Sequence, residues 1–211
     1  HEPINIARNG SSNGAIHRSV LNWFTLNKDI VENTNNNIFV LVNWAESCRI
    51  EVPIPQPSGH SQDSCADWAD PTFLDSMQIN ASMDSKMVAP QEKEYFHIFH
   101  RFLVDSEVYM QMQTAKDALS LQYFFQAHNI RYLMTNSGVA FSARNMRHLT
   151  PYLSKLDTLR YYKHRDNAFG FYEKYVQERM VNPNATYGHH GADAHYSRAT
   201  DLANYIKQKN I

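Results

Sequence analysis

A histidine-rich segment near the C-terminus, residues 188–195, carries the residue types best suited to chemistry. His189 and His195 stand six residues apart in it, and Gly188 and Gly191 give the backbone conformational freedom. An apolar-periodic run to Ile206 follows, which predicts a helix that anchors the segment to the core. Such a turn can hold one imidazole at the mouth of a site. The alternative interpretation is a solvated turn without a chemical role.

A metal site is a second alternative for the same segment. His189, His190, Asp193 and His195 are residue types that bind zinc or another divalent ion. However, side chains on one short turn rarely all point inward, and we place His195 at the start of the helix. We therefore expect neither a metal nor another cofactor.

Strands and helices that alternate along the chain are expected to position this segment. Residues 4–7 read as a short strand that ends at Asn9-Gly10, and residues 11–13 can cap the helix that follows. The β-branched run 38–42 is typical of a strand buried on both faces of a parallel sheet. Residues 92–128 predict one long helix or two joined helices, and residues 130–135 predict another strand.

This order of elements predicts an α/β fold, a three-layer α/β/α sandwich with a mainly parallel sheet of the flavodoxin-like kind. We expect a single domain over 1–211 with an irregular insertion at about 52–91, which holds five of the eight prolines. Sites in such sheets lie beyond the carboxyl ends of the strands. Polar residues follow the predicted strands there, at 10–13, 43–47 and 136–137.

Composition excludes several classes of protein. The 211 residues carry a net charge of −1 and no basic tract, which argues against nucleic-acid binding. No apolar run reaches the roughly 18–20 residues of a membrane span, and the first residues show no signal-peptide pattern. Cys48 and Cys65 fit a reducing compartment. We expect a cytoplasmic or virion-associated protein.

Three stretches together resemble the SGNH, or GDSL-like, hydrolase family and its divergent members in tailed phages. Residues 4–13 resemble the second strand and its glycine turn, residues 39–47 resemble the block that usually reads Gly-X-Asn-Asp, and residues 188–195 resemble the final histidine block. Their order and spacing carry the resemblance, which covers the chain in outline and some thirty residues in detail.

The resemblance implies hydrolysis of an ester or acetyl group by a serine nucleophile. His189 is then the general base, Gly10 offers a backbone N–H to the oxyanion, and Asn43 is the side-chain donor. Asn13 contributes a second polar group at the same strand end. The implied substrate is an acylated small molecule or glycan.

The chain departs from the family pattern at two places. The block that carries the nucleophile is expected upstream of residue 4, so the first strand is missing from this sequence and we expect the natural polypeptide to be longer. Thr186 stands near the position of the orienting acid, and His190 replaces the proline after the base. Within the given sequence, Ser47, Cys48 and Ser137 follow strands and are alternative nucleophiles.

Two hypotheses about function follow. The first is an SGNH-like esterase or acetyl-esterase with His189 as its base and a glycan as one candidate substrate. The second is a catalytically inactive SGNH-fold binding or structural module, for example a phage virion component. In that case the insertion at about 52–91 is the contact surface for a protein partner.

Overall fold

The computed structural model describes residues 3–7, 11–33, 38–53, 76–80, 84–88, 90, 93–138, 141, 145–162 and 191–211. The elements in chain order are α1 (Asn13–Leu26), α2 (Lys28–Asn33), β1 (Phe39–Trp44), β2 (Arg49–Pro53), β3 (Ser76–Asn80), a 3-10 turn (Ser85–Met87), α3 (Lys93–Asp105), α4 (Glu107–Ala127), β4 (Arg131–Asn136), α5 (Met146–Leu153) and α6 (Ala192–Lys209).

Helix α1 begins where the sequence predicts a cap. Ser12 has an extended backbone, and its hydroxyl oxygen accepts a hydrogen bond from the Ala15 N–H at 3.2 Å. That bond satisfies one of the N–H groups that a helix start leaves without an intrahelical partner. The prediction that residues 11–13 cap this helix is confirmed.

Strands β1 and β4 are parallel neighbours, as the two apolar runs predict. Their register pairs Phe39 with Arg131 and Trp44 with Asn136. Residues 160–162 run beside the other edge of β4 in the same direction, because the Met134 N–H donates to the carbonyl of residue 160 and the Met134 carbonyl accepts from the N–H of residue 162, both at 2.8 Å. In the described residues β4 thus lies between β1 and this short segment.

The prediction of a strand at residues 4–7 is wrong. These residues have no regular secondary structure, and the Asn5 side-chain oxygen accepts from the Ala7 N–H at 3.0 Å. Ile4 is 63% exposed. A short apolar alternation becomes a strand only when a neighbouring strand pairs with its backbone, and no described strand does so here.

The prediction that β1 is buried on both faces is also wrong. Val42 and Trp44 are buried, whereas Leu41 is 50% exposed and Asn43 is exposed. Successive side chains of a strand point to opposite faces, so this alternation means that one face of β1 is open at its carboxyl half in the described residues.

Two groups of apolar side chains pack against the parallel strands. The larger group joins α1, α4 and α5 to Val42, Trp44, Tyr132 and Met134. The smaller group joins Leu133 to Leu202 of α6 and to Ile211. The chain is therefore a mixed α/β fold, as predicted, and its parallel sheet is small and open in the described residues. The complete three-layer sandwich and its missing first strand stay predictions.

The region after β1 contains a strand pair that no local sequence pattern indicates. Strands β2 and β3 pair antiparallel, with Arg49 opposite Asn80. Val52 and Ile79 pack with Phe96 and Leu103 of α3 in a separate small core.

The helical region 92–128 forms two helices, α3 and α4, separated at Ser106. None of the described helices is long and apolar enough to cross a membrane.

Candidate functional site

The carboxyl ends of β1 and β4 are tied together one residue beyond the sheet. The Ser137 N–H and the Ser137 hydroxyl both donate to the carbonyl oxygen of Trp44, at 2.7 Å and 2.9 Å. The side-chain oxygen of Asn136 accepts from the buried Tyr161 hydroxyl at 2.7 Å. Burial raises the pKa of that phenol. Uncharged groups therefore form the hydrogen bonds that join the ends of these strands; they are called the strand-end floor below.

Glu46 lies across the strand-end floor against Gly138. A Cβ added at Gly138 would stand 2.7 Å from Cγ of Glu46, closer than real Cβ contacts come. The Cys48 thiol donates to the Glu46 carboxylate at 3.6 Å. The absence of a side chain at Gly138 therefore lets a half-buried carboxylate cross the end of β4.

The amide of Asn13 joins the start of α1 to the first residue after β1. Its nitrogen donates to the Ala45 carbonyl at 3.1 Å, and its oxygen accepts from the Ala45 N–H at 2.8 Å. The same nitrogen donates to the Thr114 hydroxyl of α4 at 2.8 Å, and that hydroxyl donates to the Met110 carbonyl. Asn13 is 4% exposed, so both ends of its amide are used inside the protein.

Asn13 occupies the side of β1 that faces away from β4. The Trp44 carbonyl points to β4, where it accepts from Ser137, so the backbone groups of Ala45 point the other way. The reciprocal pair of bonds from Asn13 is what a neighbouring strand would supply at this residue. No described strand pairs with this edge of β1.

Helix α6 runs antiparallel to the two strands. Arg198 donates to the side-chain oxygen of Asn43 near the carboxyl end of β1, at 2.6 Å. Arg131 at the start of β4 donates to the Ile211 carbonyl just after α6, also at 2.6 Å. The start of α6 therefore lies beyond the carboxyl ends of the strands, at the same end of the sheet as the start of α1.

Of the four residues predicted to act in the site, two lie within the described residues. The Asn13 amide bonds to Ala45 and to Thr114 of α4, whereas the Asn43 amide bonds to Arg198 of α6, so the two amides lie on different sides of β1. Gly10 and His189 lie outside the described residues. The catalytic roles assigned to all four stay predictions.

Some of the alternative nucleophiles and metal ligands lie within the described residues. Ser47 is 6% exposed, and the Ser137 hydroxyl is engaged with Trp44. Asp193 and His195 are exposed on the first turns of α6, which begins at Ala192, and His190 lies outside the described residues. Within the part of the chain that is described, no group of three or more His, Cys, Asp or Glu side chains could hold a metal ion.

No local sequence pattern indicates the contacts that Arg198, Thr114 and Gly138 make at this end of the sheet. Arg198 reaches Asn43 across 155 positions, and Asn13 reaches Thr114 across 101. Gly138 is one residue past a strand and reads as an ordinary turn. Nothing local to these residues indicates their partners, because the crossovers between parallel strands bring them together.

No protein family, curated protein or solved structure matches this chain.

Proposed function

We propose that this chain is an SGNH-like serine hydrolase that removes an acyl or acetyl group, with its site at the carboxyl edge of β1. One observation carries the proposal: α1 and α6 both begin at this edge. Helix starts carry a partial positive charge and unpaired N–H groups, which favour a developing oxyanion.

The direction of α6 supports His189 as the general base. Gly191 caps the start of α6, and His189 precedes it by two positions in the sequence. We propose that His189 acts at this end of the sheet, because two residues of chain span at most about 7 Å.

The open edge of β1 supports a nucleophile carried by a further strand. No described strand pairs with the edge of β1 that faces away from β4, and the bonds from Asn13 to Ala45 are the described contacts at the end of that edge. Long unpaired strand edges promote association with other chains, so proteins generally cover them. We propose that a parallel strand from sequence upstream of residue 1 pairs here, completes a three-layer sandwich and presents the serine.

The reaction then proceeds in two balanced steps. The serine oxygen attacks the acyl carbon while His189 accepts the serine proton, and Asn43 and the Gly10 N–H donate to the oxyanion. Collapse breaks the bond to the leaving oxygen, which takes the proton from His189 and leaves an acyl-serine. Water then attacks the acyl-serine, gives a proton to His189 and releases the acid, after which the serine recovers its proton.

A fluorophosphonate probe on the natural full-length protein tests this proposal. Intact mass and peptide mapping should show one adduct on a serine upstream of residue 1. Hydrolysis of p-nitrophenyl acetate should fall by several orders of magnitude in His189→Ala. The matched control is His97→Ala, an exposed position on α3, which should keep the parental rate.

Each other outcome has a distinct meaning. An adduct on Ser47 or Ser137 would keep the hydrolase and overturn the upstream nucleophile. A protein that takes no adduct and hydrolyses no ester would overturn the enzyme and favour the binding or structural module.

A further inference from the structure

Arg198 and Asn43 join α6 to β1 on the open face of the strand. The Arg198 guanidinium donates to the side-chain oxygen of Asn43 at 2.6 Å, and Asn43 is exposed. The distance is short, as expected when one partner is charged. Asn43 is thus a solvent-accessible amide whose oxygen already has a cationic partner.

The chemistry of the pair fixes which way the amide faces. A guanidinium has only donors, so the atom of Asn43 that faces Arg198 must be the oxygen. The two N–H groups of the amide consequently point away from Arg198. A cation on the amide oxygen also draws electron density from the nitrogen, which strengthens these N–H groups as donors.

We propose that Arg198 is a positioning residue that holds the Asn43 amide with its N–H groups turned outward, as donors to the acyl oxygen of the substrate. The inference rests on the proposed function for that last role, because the acceptor is the oxyanion of acyl transfer. Without Arg198 the amide rotates between two orientations, and the oxygen would repel the oxyanion in one of them.

Arg198→Met removes the donors and the charge but keeps a long aliphatic side chain. Arg198→Lys restores a cation that donates to the same oxygen with less fixed geometry. The contact is exposed, so we expect both variants to keep the parental melting temperature within a few degrees. The matched control is Arg101→Met, an exposed arginine on α3 whose carboxylate partner is Asp105.

The side-chain amide resonances of Asn43 report its orientation without any activity. They are assigned as the pair of proton–nitrogen cross-peaks that Asn43→Asp removes. We expect Arg198→Met to shift both peaks, Arg198→Lys to restore part of the shift, and Arg101→Met to leave them in place. Unchanged peaks in Arg198→Met would overturn the inference.

A double-mutant cycle measures whether Arg198 acts through Asn43. Asn43→Ala should lower kcat by about 100-fold, the usual effect of losing an oxyanion donor. Arg198→Met should lower kcat by about 10-fold with little change in KM, since the amide interaction is made in the transition state. The double variant should be no slower than Asn43→Ala, and additive losses would contradict a shared route.

The two proposals fail in different ways. A parental protein without hydrolytic activity overturns the proposed function, and the amide resonances then still confirm or overturn the orientation set by Arg198. An active protein whose resonances do not respond to Arg198→Met keeps the hydrolase and removes Arg198 from it.

Discussion

Asn13 and Ala45 bind each other in both directions: the side chain of Asn13 donates to the Ala45 carbonyl at 3.1 Å and accepts from the Ala45 N–H at 2.8 Å. One amide thereby supplies both bonds that a neighbouring strand would give to this residue. The third bond, to Thr114, brings α4 to the same point. The start of α1, the end of β1 and the middle of α4 therefore depend on a single side chain.

Asn13→Ala should lower the free energy of unfolding by about 2–4 kcal/mol, because three hydrogen bonds are lost and the partly buried backbone groups of Ala45 are left without partners. Urea denaturation checks this, with the m-value unchanged if the two-state transition is kept. Asn204→Ala, at an exposed position on α6, is the control and should change stability by less than about 0.5 kcal/mol. A loss in Asn13→Ala no larger than in the control would contradict the role assigned to this amide.

Gly138→Ala should destabilise the protein by about 1–2 kcal/mol, since the new methyl group would stand 2.7 Å from Cγ of Glu46 and force that side chain to move. Removing the obstacle tests the cause directly. In the background of Glu46→Ala, the same Gly138→Ala change should cost less than half as much. Equal costs in both backgrounds, measured by thermal unfolding, would show that the backbone and not Glu46 resists the substitution.

The burial of Asp117 leads us to expect that the free energy of unfolding depends on pH. Burial raises the pKa of this carboxyl from 3.8 to about 6, and the charge of Lys116 opposes part of the rise. The folded state therefore binds the proton more tightly than the unfolded state. Stability from this group is fully present below pH 3.8 and is lost as the pH rises through about 6.

Asp117→Asn removes this titration and tests it. Relative to the parent, the variant should gain about 1 kcal/mol at pH 7.5, a figure reduced from the full linkage value because Asp117 is partly exposed. The gain should disappear near pH 4. Denaturant unfolding at the two pH values gives the comparison, and an equal difference at both would exclude Asp117 as the titrating group.

Local patterns correctly predict the elements whose signals are short-range. Ser12 caps α1 because its hydroxyl reaches an N–H group three residues ahead. The β-branched run in β1 and the run in β4 form strands, and helical elements between them make the pair parallel. The helix after the histidine-rich segment is also where its apolar period predicts it.

Local patterns fail where a second segment decides the outcome. Residues 4–7 alternate like a strand and form none, whereas residues 76–80 carry no clear signal and pair with β2. A backbone becomes a strand only when another chain segment accepts its hydrogen bonds. The exposure of Leu41 could not be predicted for the same reason, because the burial of a strand face depends on what packs against it.

The sequence by itself determined the α/β class, the parallel pair and the polar residues that follow β1 and β4. Only the tertiary structure decided that Asn13 closes the end of β1, that Gly138 makes room for Glu46 and that Arg198 donates to Asn43. Periodicity and capping act over a few residues, so they can be read along the chain. Contacts across 32 to 155 positions depend on how the helices cross between strands, and no local pattern encodes that crossing.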